Sequence, residues 1–503
     1  MVVANAYLNG LAAIAPELVL TGFALAALVF DLATKGRDSR RVGYLTLVGL
    51  ALTSLLLVAQ WGEPSRTVLG MVTVDQFGNF FKLFTCASLA VVVVFVLNDR
   101  RERRHGIGEY YFLLLGAAVG VFFMVSTNNL LLLMLGLELL SLASYSLAGF
   151  HKGERKSAEA AMKYVVFGGL SAGIMLYGIS LLYGLTGTID LAVMATGGTG
   201  GVPAGLVGQV SENPIPVAVA VVLILAGFAY KVSLVPFHFW TPDVYEGAPT
   251  PVTTFLAVGS KAAGFGALLR FVGVLFVHED VQEAVRAYGE RVGLLIALLA
   301  AVTMTVGNLS ALRQKSLKRM LAYSSIAHAG YVMIGVAAMT AGGFEAAMYY
   351  LAAYYFMNLG AFGFLLYFEG VTGSDAIESL EGLGWRAPVV SIAMVVFLVS
   401  LTGLPPTVGF YGKYLLFQEG IAADLIWLVV IAGLNSVISL FYYFRVVRAL
   451  FLSKPAEREA AQQPAFVGLL AALGVATVFF ALFTAPLVDW ARRSMDLLSA
   501  ASG

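Results

Sequence analysis

The chain has 503 residues, 59% of them hydrophobic and 12% charged, and a net charge of +1. Soluble domains carry roughly 25% charged residues, so this composition excludes a water-soluble fold, and the near-neutral balance argues against nucleic acid as a partner. One cysteine, Cys86, excludes internal disulfides and any multi-cysteine metal or iron–sulfur site.

A membrane-crossing helix needs about 20 mainly apolar residues. Fourteen such runs follow one another, at 12–33, 43–60, 72–97, 109–125, 127–150, 158–185, 216–240, 250–276, 290–311, 317–340, 343–369, 387–418, 422–450 and 466–489. They predict an all-α, polytopic membrane protein. The first run is as long as a full span and has no basic flank, so it reads as a helix and not as a cleaved leader. The weakest division, at Ser126-Thr-Asn-Asn129, parts the fourth run from the fifth. Residues 186–215 are glycine-rich and too poor in apolar side chains for a core of their own, which predicts an outer loop. Residues 453–465 read as a short charged loop on the cytoplasmic side.

Loop charge tests the count. Alternate loops hold twenty basic residues on one side, among them Arg40, Arg41, Arg100, Arg101, Lys152, Lys315, Lys318 and Arg319. The other side holds six, Arg66, Arg270, Arg286, Arg291, Arg492 and Arg493. By the positive-inside rule the richer side is cytoplasmic, and both termini lie outside. The remaining five cations, Lys82, Lys163, Lys231, Lys261 and Lys413, fall inside spans, where a charge is costly and usually kept for a task.

The spans also repeat. Residues 159–164 read Glu-Ala-Ala-Met-Lys-Tyr and 345–350 read Glu-Ala-Ala-Met-Tyr-Tyr, five spans apart. Prolines interrupt the seventh span (Pro236) and the twelfth (Pro405, Pro406), again five apart. A five-helix unit repeated once inverts its topology, and inverted repeats with helices broken at matching places mark transporters. The expected organisation is a three-helix segment over 1–108, a first repeat over 109–276, an inverted repeat over 290–450, and a last span with its tail over 451–503.

Candidate chemistry gathers at the ionisable groups inside spans. Lys82 has no evident task, and Lys82→Ala is expected to change little. Glu138 is a lone carboxylate in Leu135-Gly-Leu-Glu138-Leu-Leu140 and needs a cation or a proton. It reads either as half of a structural pair or as the group that sets a lysine's proton affinity. Lys163 lies near its helix start, within reach of the interface. Lys231 lies in Gly227-Phe-Ala-Tyr-Lys231-Val-Ser-Leu-Val-Pro236-Phe-His238-Phe-Trp240. Pro236 lacks an amide proton and clashes with the preceding turn, so the helix opens there and leaves free carbonyls beside an ammonium group. Such backbone survives in a membrane only inside protein or along a wet cavity. Desolvation disfavours a charged amine and a nearby carboxylate favours it, so a lysine between them can load and release a proton. Lys261 sits mid-span among small neighbours that admit another helix closely. Lys413 follows the second break by about two turns, and snorkelling to the interface is its plain alternative. His238 and His328 titrate in the range that suits a proton relay, or are simply hydrogen-bonded. Asp243 and Glu246, in the loop after the seventh span, either line a proton intake or cap helix ends. No dinucleotide loop, phosphate loop or cysteine pair is present, and the histidines are not paired as a haem requires. The chain is therefore expected to hold no redox cofactor itself.

The stretch Phe228-Ala-Tyr-Lys231 through Trp240-Thr-Pro242-Asp243-Val-Tyr-Glu246-Gly-Ala-Pro249-Thr-Pro251 resembles the signature of the antiporter-like membrane subunits of respiratory complex I. The resemblance covers nearly the whole chain. It implies the fourteen spans, the two inverted repeats and the two broken helices. Of three sister branches, one called M has a glutamate where Lys413 stands, and one called L adds a long lateral helix for which no residues remain. The lysine pattern is most similar to the branch called N, the counterpart of mitochondrial subunit 2. The resemblance implies proton translocation through a midplane axis in which Glu138, Lys231, Lys261 and Lys413 act, with His238, His328 and Lys163 as possible relays. It implies no cofactor in this chain, with FMN, iron–sulfur clusters and quinone in partner subunits of an NADH:quinone oxidoreductase, in the bacterial inner membrane. An Mrp-type cation/proton antiporter subunit, a hydrogenase-type membrane subunit and a purely structural membrane scaffold are the alternatives.

Overall fold

A computed structural model describes residues 10–36, 39–99, 107–197, 205–452 and 464–495. Arg37, Arg100, Arg101, Arg103, Arg104, Lys454 and Arg458 of the loop-charge reading, and Gly198, Gly200 and Gly201 of the outer loop, lie outside these residues. Among the described residues thirteen helices are long and apolar enough to cross a membrane: Ala15–Ala33, Arg40–Ala59, Gln76–Asn98, Ile107–Val125, Leu130–Ala148, Arg155–Thr186, Pro214–Val232, Thr250–Val277, Glu283–Ala311, Leu317–Ala337, Ala341–Thr372, Ile426–Leu452 and Pro464–Leu482. The twelfth span in chain order is two shorter helices, Pro388–Thr402 and Val408–Ala422, on either side of a break. The fourteen runs of the sequence are thus recovered. The weakest division holds as well: Asn129 caps the fifth span by accepting from the amides of Leu131 and Leu132. Arg66–Val68 and Val72–Val74 form a small hairpin between the second and third spans.

Both breaks open where the prolines stand. The seventh span ends at Val232, Ser233 turns left-handed at φ 67°, and a new helix begins at Trp240. That helix, Trp240–Gly247, carries Asp243 and Glu246, which the sequence placed in a loop. In the twelfth span Thr402 is followed by Gly403 at φ 85° and the chain resumes helix at Val408. Each left-handed residue lies three before a proline, Pro236 or Pro406, in a cis peptide bond. A third irregularity had no signal in the sequence. The eighth span has one π-helical stretch, Leu256–Ser260, immediately before Lys261 and another at Gly273–Val277. Single π turns within α-helices are frequent at functional positions.

The sixth and eleventh spans match feature by feature. Each is 32 residues long. Each ends in a threonine followed by a left-handed glycine, Gly187 at φ 71° and Gly373 at φ 70°. Beyond each glycine the chain returns to pair with the start of the span before, Asp190 opposite Asn129 and Ala376 opposite Ser316.

Two further readings change. Arg270, assigned to an outer loop, is fully buried inside the eighth span. The fourteenth span ends at Leu482, and Ala485–Arg493 is a separate short helix whose Trp490 packs on Phe80, with ring centroids 4.2 Å apart.

Candidate functional site

The tenth span, Leu317–Ala337, places Ser325, His328 and Tyr331 at three-residue steps along one face, so they stack over one another. Lys261, 3% exposed, donates to the Ser325 carbonyl at 2.8 Å and to its hydroxyl at 2.5 Å. His328 meets the Tyr350 hydroxyl through Nδ1 at 2.6 Å and the Tyr443 hydroxyl through Nε2 at 3.3 Å. Tyr331 accepts from Ser436 at 3.2 Å, and Ser436 accepts from Lys413 Nζ at 3.0 Å. Lys413 Nζ also lies 4.1 Å from the centre of the Tyr331 ring. Lys261, His328 and Lys413 therefore belong to one buried polar row, with the sequence-predicted histidine between two lysines. Lys413 does not snorkel. It is 4% exposed and donates at 2.9 Å to the carbonyl of Thr402, which ends the first half of the broken helix. Gly403 makes room for it, because a Cβ there would stand 2.7 Å from Lys413 Cδ.

The other break works differently. Lys231, 3% exposed, donates to the Ser141 hydroxyl at 3.1 Å and not to a freed carbonyl. Its stem lies against the eighth span at Gly264, where a Cβ would be 3.1 Å from Lys231 Cγ, one turn beyond Lys261. Glu138 is half-buried on the helix that carries Ser141, three residues before it. It makes no ion pair with Lys231 within 4 Å, and one of its oxygens is buried without a hydrogen bond. The serine stands where the sequence suggested a direct carboxylate contact. His238 is buried within the break and shares no hydrogen bond with a lysine.

Lys163 belongs to a third group, at the end of the molecule that carries the richer loop charge, here called the basic end. It pairs with Asp243 at 2.5 Å and Glu159 at 2.7 Å. Arg319 bridges Asp243 and Glu246 at 2.7 Å each, and Lys156 holds Glu246 at 2.8 Å. Burial works to raise both carboxyl groups, but hydrogen bonds from Lys163 and Arg319 to Asp243, and from Lys156 and Arg319 to Glu246, prevail and hold both below the usual carboxylate range. The network fastens the Trp240–Gly247 helix to the sixth span and to the tenth.

Lys82 pairs with Glu17 at 2.6 Å, the two side chains 1% and 3% exposed, and faces the Phe122 ring. Arg270 pairs with Asp75 at 2.7 Å and donates to the Val125 carbonyl at 2.8 Å and to Asn128 at 3.2 Å. Both are buried ties between helices away from the polar row. Sequence reasoning missed Ser141, Ser325, Tyr331, Tyr350, Ser436 and Tyr443. The serines show only a hydroxyl in an apolar span, which ordinarily bonds back to its own turn, and the tyrosines read as aromatic packing.

Residues 127–439, more than half of the chain, match the transmembrane family described as NADH:quinone oxidoreductase/Mrp antiporter. A protein of Sorangium cellulosum named NADH-quinone oxidoreductase subunit N 2 is 42% identical over 97% of this chain and 98% of its own. A chain of the respiratory complex I of Thermus thermophilus, solved with bound aureothin, is 35% identical, with a TM-score of 0.78 over 94% of this chain and 98% of that one. A chain of the Mrp complex of Dietzia sp. has a TM-score of 0.82 over 96% and 97% of the two chains, but at 21% identity it shares only the fold.

Proposed function

The chain belongs to the subunit N family of NADH-quinone oxidoreductase, a membrane subunit of the proton-pumping respiratory complex, and from that premise we propose that it moves protons along the row Lys231, Lys261, His328, Lys413. Partner subunits carry the electrons, with FMN, iron–sulfur clusters and quinone held there, and the other membrane subunits are its neighbours in the bilayer. The basic end faces the cytoplasm of a bacterial inner membrane and both termini face outward, by the loop-charge asymmetry. The two five-helix units span 109–276 and 290–450, between the segments 1–108 and 451–503.

The observation that carries this reading is the bonding of the buried lysines. Lys231, Lys261 and Lys413 each donate to a serine hydroxyl on another helix, and none is locked in an ion pair within 4 Å. A hydroxyl is both donor and acceptor, so it serves the ammonium and the neutral amine alike. Charge arriving from the quinone side shifts Glu138 relative to Lys231, and this sets whether Lys231 keeps or yields its proton. Carrying one charge against 100 mV takes about 2.3 kcal/mol, which is less than a buried carboxylate approaching an amine can supply. Lys163, Asp243 and Glu246 brace the broken helix at the cytoplasmic end.

The test is Lys231→Ala in the whole complex, reconstituted in vesicles. We expect unchanged assembly, normal NADH oxidation by an artificial acceptor, and loss of most quinone-linked proton pumping. Full pumping in the assembled variant would refute the role given to Lys231.

A further inference from the structure

The eleventh span, Ala341–Thr372, carries Tyr350, Tyr354, Asn358 and Phe362 at four-residue steps and Glu369 two turns on, so they share one face. Tyr350 already serves His328. The others have no part in the row described above.

Glu369 lies at the basic end, in the wall of a cavity of about 280 Å3 that Lys318, Thr250, Glu246 and Asp375 also line. It accepts from the Thr250 hydroxyl at 2.6 Å, and Lys318 Nζ stands 4.0 Å from its other oxygen. Glu246, by contrast, is held by both Lys156 and Arg319. Glu369 is therefore less encumbered than Glu246.

Deeper along the same face, Asn358 is 1% exposed, and neither its amide oxygen nor its nitrogen completes a hydrogen bond. The hydroxyls of Tyr354 and Tyr245 are buried in the same condition. Tyr354 stands beside Tyr245, Ser325 and Asn358. Ser325 is the residue to which Lys261 donates, and the Tyr354 ring lies 5.3 Å from that of His328. Buried polar groups are almost always satisfied by protein or by water. Buried polar atoms on neighbouring side chains that complete no close hydrogen bond of their own are what a bound water needs. Phe362, set edge-on to Tyr245 with centroids 6.2 Å apart, lies between Asn358 and Glu369 along the helix.

We propose that this face of the eleventh span is a hydrated path by which protons taken up at Glu369 reach Lys261 and His328 without passing Lys231. It rests on the reading that Lys261 belongs to the proton row. A proton from cavity water adds to the Glu369 carboxylate to give the acid. Glu369 and Asn358 are about 16 Å apart along the helix, so the acid yields its proton to a chain of waters that runs past Phe362 to Asn358 and Tyr354, and the last of these waters passes a proton to the neutral amine of Lys261. Glu369 is then a carboxylate again and Lys261 an ammonium, so charge and protons balance.

Complexes carrying Glu369→Gln, Glu369→Asp, Asn358→Leu or Lys261→Ala, each reconstituted in vesicles, are compared for protons moved per NADH oxidised. Glutamine still accepts from Thr250, so a merely structural Glu369 tolerates it. We expect Glu369→Gln and Asn358→Leu to lose most pumping and Glu369→Asp to keep it. Should Asn358→Leu not assemble, Glu369→Gln against Glu369→Asp decides. Undiminished pumping in Glu369→Gln overturns the path. If Lys261→Ala alone is impaired, the path falls and the row stands; if Lys261→Ala also pumps normally, the row falls too.

Discussion

Lys82 and Lys231 are both buried cations, and what each is bonded to separates their tasks. The Lys82 ammonium and the Glu17 carboxylate are 2.6 Å apart with almost no solvent access. Removing one partner of such a pair leaves an uncompensated charge and costs about 3–5 kcal/mol, while replacing both with apolar side chains is close to neutral. The structure thus reverses the expectation that Lys82→Ala changes little. Lys82→Ala should sharply reduce the amount of subunit found in the assembled complex, and the double variant Lys82→Met with Glu17→Leu should restore it. Immunoblots of purified membranes check this, and a single variant that assembles as well as the double one would show that the pair is solvated. The lysines themselves were legible in the sequence because charge inside an apolar run stands out. Their serine and tyrosine partners were not, since a serine hydroxyl looks alike whether it bonds its own turn or a neighbouring helix, and a tyrosine in an apolar span looks like ordinary packing.

The broken helices show the same division between what a residue type announces and what geometry adds. Pro236, Pro405 and Pro406 announced both breaks. Nothing in the sequence separated Ser233 and Gly403 as the left-handed residues, nor marked the π turn before Lys261. Gly403 combines φ 85° with a Cβ position 2.7 Å from Lys413. A side chain there pays roughly 1–2 kcal/mol for the left-handed backbone and also pushes on the ammonium stem. Gly403→Ala should therefore lose most pumping while the complex still assembles, and wild-type proton-to-electron stoichiometry in that variant would mean that Lys413 has slack. The short helix Trp240–Gly247 makes a different prediction. Asp243 and Glu246 are held below their ordinary values, so the folded state binds fewer protons than the unfolded one. The network's contribution is then fully present above the unfolded value of roughly 4 and is lost as pH falls through the folded values. The gap in thermal stability between the native subunit complex and Asp243→Asn should be constant from neutral pH to about 5 and close below about 4. A gap that widens on acidification would contradict the assignment.

Across the whole molecule the sequence suggests a repeat through five shared letters in a six-residue stretch and two proline sites, and the matching 32-residue helices, left-handed glycines and paired returns extend that likeness. Yet the copies have diverged where it matters. Counting seven residues on from the proline of each break gives Asp243 in one unit and Lys413 in the other. One is tied into a network at the basic end; the other is buried on Thr402 and Ser436. A repeat whose equivalent position carries opposite charges is suited to distinct roles at its two ends, intake in one unit and release in the other. Such a division needs a source of free energy. The fold alone does not identify the source, because the Dietzia Mrp chain shares it; the 42% identity to a named subunit N does. The expectation is concrete. The chain, tagged in its native membrane and purified in mild detergent, should bring with it an assembly that oxidises NADH, reduces quinone and pumps protons. Recovery instead with a cation/proton antiport assembly lacking NADH oxidation would reassign the lysine row to sodium-linked exchange, and Lys231→Ala would then abolish antiport and leave respiration untouched.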